Sequence, residues 1–244
     1  MRWIYLSPHL DDAVFSAGGL IHEQTQAGTP VEIWTIMCGF PPEGEPSPFA
    51  HSLHAKWGFS SAGETVHARR AEDRHAAEIL GAGVVHFDFL DCIYRRGESG
   101  EWLYDDVFLS PHEEEARLPS RIAGEISARL TREDVLVCPL SLGSHVDHVL
   151  ARRGAELLGH SLHYFIDIPY LFYQPHQLEA KSAGMRGSVE SITEAGLRRW
   201  QEAALAYRSQ FPVLGEAFDT PEKAREAIRS YWSERRGIRL LHFS

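Results

Sequence analysis

The chain has 244 residues, of which 43% are apolar and 11% aromatic, enough to bury one substantial core and short enough for a single domain over residues 1–244. Its formal charge is −10, from 34 acidic against 24 basic residues, which argues against nucleic acid as the main partner, since that binding depends on a clustered positive field. Three cysteines with no Cys-x-x-Cys spacing predict reduced, buried packing residues rather than a disulfide framework or a thiolate metal site. No basic leader followed by a long apolar stretch opens the chain and no apolar run reaches 18 residues, so the expectation is a cytoplasmic protein without a membrane span.

In chain order, the apolar run at 2–6 predicts a first strand, and residues 20–26 predict a short helix ending near Gly28. A second strand follows at 31–38, rich in β-branched and apolar residues. The segment 39–64 holds four prolines and several Gly and Ser with no sustained period, and reads as a long loop on the substrate side. A disordered surface excursion is the other reading; Trp57 and Phe59 favour a packed cover, since disordered segments are poor in aromatics.

The alanine-rich stretch 64–80 ends at Gly81 as a helix should, and 84–89 reads as the third strand. Residues 117–130 form an amphipathic helix, 135–138 a fourth strand, 146–158 a helix and 162–166 a strand. A last long helix is expected over 190–207, and 238–243 reads as an edge strand. Alternating strands and helices predict an α/β fold: one Rossmann-like, three-layer domain whose mostly parallel sheet carries its active site at the C-terminal edge of the strands.

Two short segments carry chemistry. Ser7-Pro8-His9-Leu10-Asp11-Asp12 follows the first strand, where an open α/β sheet places its ligands. Gly143-Ser144-His145-Val146-Asp147-His148 follows the fourth and opens a helix, with Ser144 and Asp147 in the form of a capping box. If strands one and four are neighbours, the two motifs meet at the point where strand order reverses. His9, Asp12 and His148 then make three ligands with an open position for water, and Asp11 and His145 remain for proton transfer. Taken singly, each of these residues is more often a cap or turn residue; type, spacing and sheet edge together favour a metal.

The paired motifs resemble those of the PIG-L or LmbE-like N-acetylglucosamine deacetylases. In that family a His-Pro-Asp-Asp-Glu segment supplies a histidine and the second aspartate as zinc ligands, and a later His-x-Asp-His segment supplies its last histidine. The resemblance thus implies Zn2+, or another divalent metal, on His9, Asp12 and His148. It also implies Asp11 as general base, His145 as oxyanion stabiliser or proton donor, and Asp147 as the partner that orients a histidine. Leu10 and Ala13 replace the family's proline and glutamate without removing a ligand.

Some sugar deacetylases of the group carry a tyrosine two residues before the later motif, where this chain has Gly143; Tyr170 or Tyr173 could stand in. An Arg-x-x-Glu pattern common after the cover segment matches Arg69 to Glu72, and makes Arg69 a possible substrate contact beside the plainer reading of a helix-surface charge. The activity implied is zinc-dependent removal of an N-acetyl group from an N-acetylglucosamine-type conjugate, a small-molecule partner, with a homo-oligomer possible. An amidase acting on a thiol or other sugar conjugate, and a catalytically inactive metal-containing sugar-binding protein, are the alternatives. A dinucleotide enzyme is disfavoured because Gly18-Gly19 comes too late after the strand and lacks a third glycine.

Overall fold

A computed structural model describes residues 1–243. Its centre is a seven-stranded sheet in the order β3-β2-β1-β4-β5-β7-β6, built from β1 (Trp3–Ser7), β2 (Val31–Met37), β3 (Gly83–Phe89), β4 (Val135–Pro139), β5 (Leu162–Phe165), β6 (Met185–Ser191) and β7 (Gly237–Phe243). The first five strands in sheet order are parallel, and β7 pairs antiparallel with both β5 and β6. β7 is therefore interior and β6 is the edge, which corrects the expectation for 238–243. The run Ile238-Arg239-Leu240-Leu241 has apolar residues for both faces, as a strand covered on two sides requires.

Side chains of β1 alternate between two cores. Tyr5 packs in the layer formed by α1 (Asp12–Gln26), α3 (Ala62–Leu80), α8 (Glu194–Ala204) and α9 (Pro221–Arg235). Ile4 and Leu6 face the opposite layer, which holds α2 (Pro48–Trp57), α4 (Leu118–Ser127) and α5 (Val146–Glu156). Two short helices, α6 (Tyr170–Tyr173) and α7 (Gln177–Lys181), follow β5. The three cysteines are free and buried, as expected.

Three element boundaries differ from expectation for identifiable reasons. α1 begins at Asp12 rather than near residue 20, running straight through Gly18 and Gly19. Those glycines serve packing: a Cβ on Gly18 would lie 2.6 Å from Trp200 Cδ1, and the indole donates to the Val14 carbonyl at 2.8 Å. Helix α8 can approach α1 only because both side chains are missing, and removing the buried Trp200 side chain would cost about 3–5 kcal/mol.

The segment 39–64 is not structureless. It contains α2, capped by Ser47, whose hydroxyl accepts from Ala50 N at 2.9 Å, started by Pro48 and closed by left-handed Gly58. The long helix expected over 190–207 is shorter because β6 occupies its first residues, and α9, overlooked among its charged residues, packs Ala224, Ile228, Tyr231 and Trp232 into the core.

One buried polar cluster ties these layers together. Asp73 of α3 accepts from Tyr207 Oη at 2.7 Å and from Thr35 Oγ1 at 3.1 Å, and pairs with His86 Nε2 at 2.8 Å. It holds α3 against β2 and β3, and so sets the position of Arg69 one turn earlier.

Candidate active site

β1 and β4 are hydrogen-bonded neighbours, so the segments that leave their C-terminal ends meet where the strand order reverses. The first segment turns tightly. Ser7 Oγ donates to the His9 carbonyl at 2.6 Å and accepts from Ala13 N at 3.0 Å, while His9 N donates to Asp12 Oδ2 at 2.8 Å. Asp12 thereby sits in the first turn of α1, where the helix dipole favours a carboxylate.

The second segment takes an unusual path. Ser141, Gly143 and Ser144 have φ of 60°, 84° and 62°, the left-handed region that costs energy for serine. Several bonds hold it there: Leu142 N donates to Asp167 Oδ2 at 2.9 Å, Gly143 N to Gln177 Oε1 at 3.1 Å, and Ser141 Oγ to the His148 carbonyl at 2.9 Å. The cap of α5 is His145, whose Nδ1 accepts from Asp147 N at 3.1 Å, and not Ser144 as the capping-box pattern suggested. Gly143 has a steric role as well. A Cβ at that position would overlap the ring of Tyr170, which packs edge-on against His148 with centroids 5.4 Å apart.

The histidines converge. His9, His145 and His148 each offer a ring nitrogen within 4.8 Å of the others. Asp12 lies between two of them, with Oδ2 3.3 Å from His9 Nδ1 and Oδ1 3.2 Å from His148 Nε2. On its far side each imidazole has a carboxylate: His9 Nε2 meets Asp147 Oδ2 at 2.9 Å, and His148 Nδ1 meets Asp167 Oδ1 at 2.8 Å. Asp147 is itself anchored by Arg95 Nη1 at 2.6 Å and by Cys92 N at 2.9 Å. Arg69, far from being a surface charge, is buried, with its guanidinium 3.8 Å from Asp11 and 3.9 Å from Asp91 and stacked 4.8 Å above the Trp57 ring.

Burial and these neighbours separate the protonation states of the group. Burial together with the adjacent Asp12 charge pushes Asp11 up to about 7. Burial would raise Asp12 too, but His148 and His9 outweigh it and hold this carboxyl well below the usual range. Burial opposes charge on His148 as well, yet Asp12 and Asp167 lift it to about 9. His145 has no such partner on its free side, and burial with two neighbouring imidazoles keeps it well below the ordinary histidine value. Neutral His145, with Nδ1 accepting, carries its proton on Nε2.

The residues present suit a divalent metal. His148 Nε2 is buried without a hydrogen-bond partner, and its Nδ1 is held by a carboxylate, the arrangement that leaves a lone pair free for an ion. Cys92 and Asp147 also come within 4.8 Å of His145, but burial keeps the thiol protonated and Asp147 is engaged by Arg95, Cys92 N and His9.

His9, Asp11, Asp12, Arg69, Asp91 and His145 line a cavity of about 680 Å³ that also takes in Phe49, Leu53 and Trp57 of α2, Phe108, Tyr170 and Tyr173, and Gln210, Leu214 and Glu216, while His148 and Asp147 are fully buried. Sequence reasoning overlooked Asp91, Arg95 and Asp167. Lone acidic or basic residues in connections carry no spacing signal, and only the fold brings them to the site. The α2 stripe did have a signal, because Phe49, Leu53 and Trp57 recur every four residues.

Known proteins share this architecture. A 2'-N-acetylparomamine deacetylase of Niallia circulans is 26% identical over 236 residues, covering 89% of this chain and 84% of the relative. The zinc-inhibited form of the teicoplanin deacetylase Orf2 superposes with a TM-score of 0.82 at 25% identity, over 99% of this chain and 97% of that one. The A40926 pseudoaglycone deacetylase Dbv21 gives 0.79 at 27% identity, over 99% and 96%. The family model described as PIG-L, GlcNAc-PI de-N-acetylase, matches residues 4–158, from β1 through α5 and thus both motifs, and the chain belongs to the PIG-L family.

Proposed function

We propose that this protein is a zinc-dependent hydrolase that removes an N-acetyl group from an N-acetylglucosamine-type sugar conjugate. The observation that carries the reading is the convergence of Asp11, Asp12, His9 and His145 on the cavity lining, with the buried His148 against Asp12, in groups of opposed protonation preference. The deacetylase relatives support the same reaction class.

His9, Asp12 and His148 would hold the metal, with Asp147 and Asp167 orienting the two imidazoles from behind. When bound, Zn2+ polarises the acyl carbonyl and lowers the pKa of water toward about 7. Asp11, adjacent to Asp12 and not tied up by a short hydrogen bond, takes the proton of the attacking water. Its raised pKa lets it keep that proton and pass it to the nitrogen as the C–N bond breaks, releasing acetate and the free amine. His145 presents Nε2–H to the carbonyl oxygen, where negative charge develops, and its neutrality at pH 7 makes it a donor that does not compete with the ligands for a carboxylate. Arg69 and Asp91 offer a donor and an acceptor about 4 Å apart for sugar hydroxyls, with Trp57 as the apolar backing.

The test is acetate release from N-acetylglucosaminides by the purified protein, before and after chelation and with zinc restored. Release that disappears on chelation and returns with zinc is expected; a zinc-loaded protein that releases no acetate from any N-acetylated amino sugar would overturn the assignment.

A further inference from the structure

We infer that the conjugate accepted by this cavity carries an apolar aglycone bearing no phosphate or carboxylate. The inference rests on the deacetylase reading for the position of the sugar, which must bring its amide to Asp11 and His145. The cavity, about 680 Å³, falls among those that enclose drug-sized ligands, so a single hexosamine at the deep end leaves the outer part to be filled.

The walls of that outer part are apolar. Phe49 and Leu53 are half-buried one helical turn apart on α2, and among the other lining residues Phe108 is 50% and Tyr173 40% exposed. Large side chains left partly in water around one opening mark a surface that gains from being covered, at roughly 25 cal/mol per Å² removed from water. Phe108 is steadied from below, since Val146 N donates to the Val107 carbonyl at 2.8 Å and the Phe108 ring packs edge-on to Tyr170 at 6.1 Å.

The charges in the cavity argue against an anion. Arg69 is the only Lys or Arg among its lining residues, and it is buried with Asp11 and Asp91 at its two ends. The exposed charges on the lining are Asp106 and Glu216. A phosphate or carboxylate on the aglycone would meet two like charges and no free cation, within a chain of net charge −10. Tyr173, Leu214 and Glu216 lie beyond residues 4–158, so part of this selectivity is built by the portion outside the family match.

The experiment compares kcat/KM for 4-nitrophenyl N-acetyl-α-glucosaminide and for N-acetylglucosamine 1-phosphate, which share sugar, amide and anomer. The aryl substrate is expected to be preferred by about 100-fold, and the double variant Leu53→Lys, Glu216→Lys to shrink that ratio by about tenfold or more. Equal use of the two, or preference for the phosphate, overturns the inference while leaving the deacetylase reading intact. Calorimetry with 4-nitrophenyl α-glucoside and glucose 1-phosphate, which have no amide, gives a readout independent of turnover. Tighter binding of the aryl glucoside supports the apolar aglycone even if no acetate is ever released, in which case the reaction assignment fails alone; binding of the phosphate as tight or tighter sinks the aglycone assignment by itself.

Discussion

Asp167 accepts the Nδ1 proton of His148 at 2.8 Å, although the two residues come from different elements that meet only after β4 and β5 have paired. The second oxygen of Asp167 accepts from Leu142 N at 2.9 Å, so one carboxylate both sets the imidazole and shapes the strained segment before it. Asp167→Asn keeps the size and one acceptor but weakens the hold on the ring. Zinc affinity, measured by competition with a chromophoric chelator, should fall by about 10–100-fold. Wild-type affinity in that variant would show that Asp167 serves the backbone only.

Asp11 and Asp12 are adjacent, and their surroundings drive them apart. Asp11→Asn should lower kcat by roughly 10²–10⁴ while zinc stoichiometry stays at the wild-type level, because in the proposed mechanism the lost group moves a proton and holds no ion. Asp12→Asn should lose the metal itself. Equal metal loss in both variants, read by elemental analysis, would contradict this division of labour.

His145→Ala removes the side-chain cap of α5 and, in the proposed mechanism, the donor to the carbonyl oxygen. The loss of the donor should reduce kcat by about 10²–10³ and the loss of the cap should cost about 1 kcal/mol of stability. Because Asn also caps well, His145→Asn separates the two: stability should recover while turnover remains low. Recovery of both in His145→Asn would leave capping as the residue's whole role.

At Gly143 the backbone is left-handed and a Cβ would overlap the Tyr170 ring. Gly143→Ala should destabilise the protein by about 1–3 kcal/mol through strain and crowding, and should lower kcat by displacing His145 two residues on. Denaturant unfolding and steady-state kinetics on the same preparation check it; a variant that unfolds at the wild-type midpoint would show that the Tyr170 ring moves aside freely.

The metal-free protein should lose stability as pH rises. Burial opposes charge on His148, but Asp12 and Asp167 raise its pKa to about 9 in the folded state, against about 6.5 unfolded. Its contribution is thus complete below about pH 6.5 and lost as pH rises through about 9. Asp11, raised to about 7, acts in the same direction, since ionising it in a buried site becomes a cost above the ordinary carboxylate range. Zinc requires the neutral imidazole and is favoured by deprotonation. The Tm gap between zinc-loaded and metal-free protein should therefore widen from pH 6.5 to 9, and a gap that stays constant or narrows in thermal melts would refute the linkage.

Local sequence was sufficient for the α/β class, for most parallel strands and for both motifs, because apolar runs, β-branched residues and cap signals act between near neighbours in the chain. It failed where competing signals overlapped: prolines around Ser47 and Pro48 hid α2, although that pair together with Gly58 spells out a start and a stop. The charged surface of α9 hid its buried stripe, and a C-terminal apolar run gave no sign that β6 would lie outside it. At the site, the sequence by itself determined which side chains could take part at His9, Asp11, Asp12, His145 and His148, since ligand chemistry belongs to residue type and spacing. Only the tertiary structure decided that Asp147 stands behind His9, that Asp167 stands behind His148, and that Arg69 is buried between Asp11 and Asp91. Those relationships span long stretches of chain, and electrostatics and burial depend on distance in space, which sequence separation does not encode.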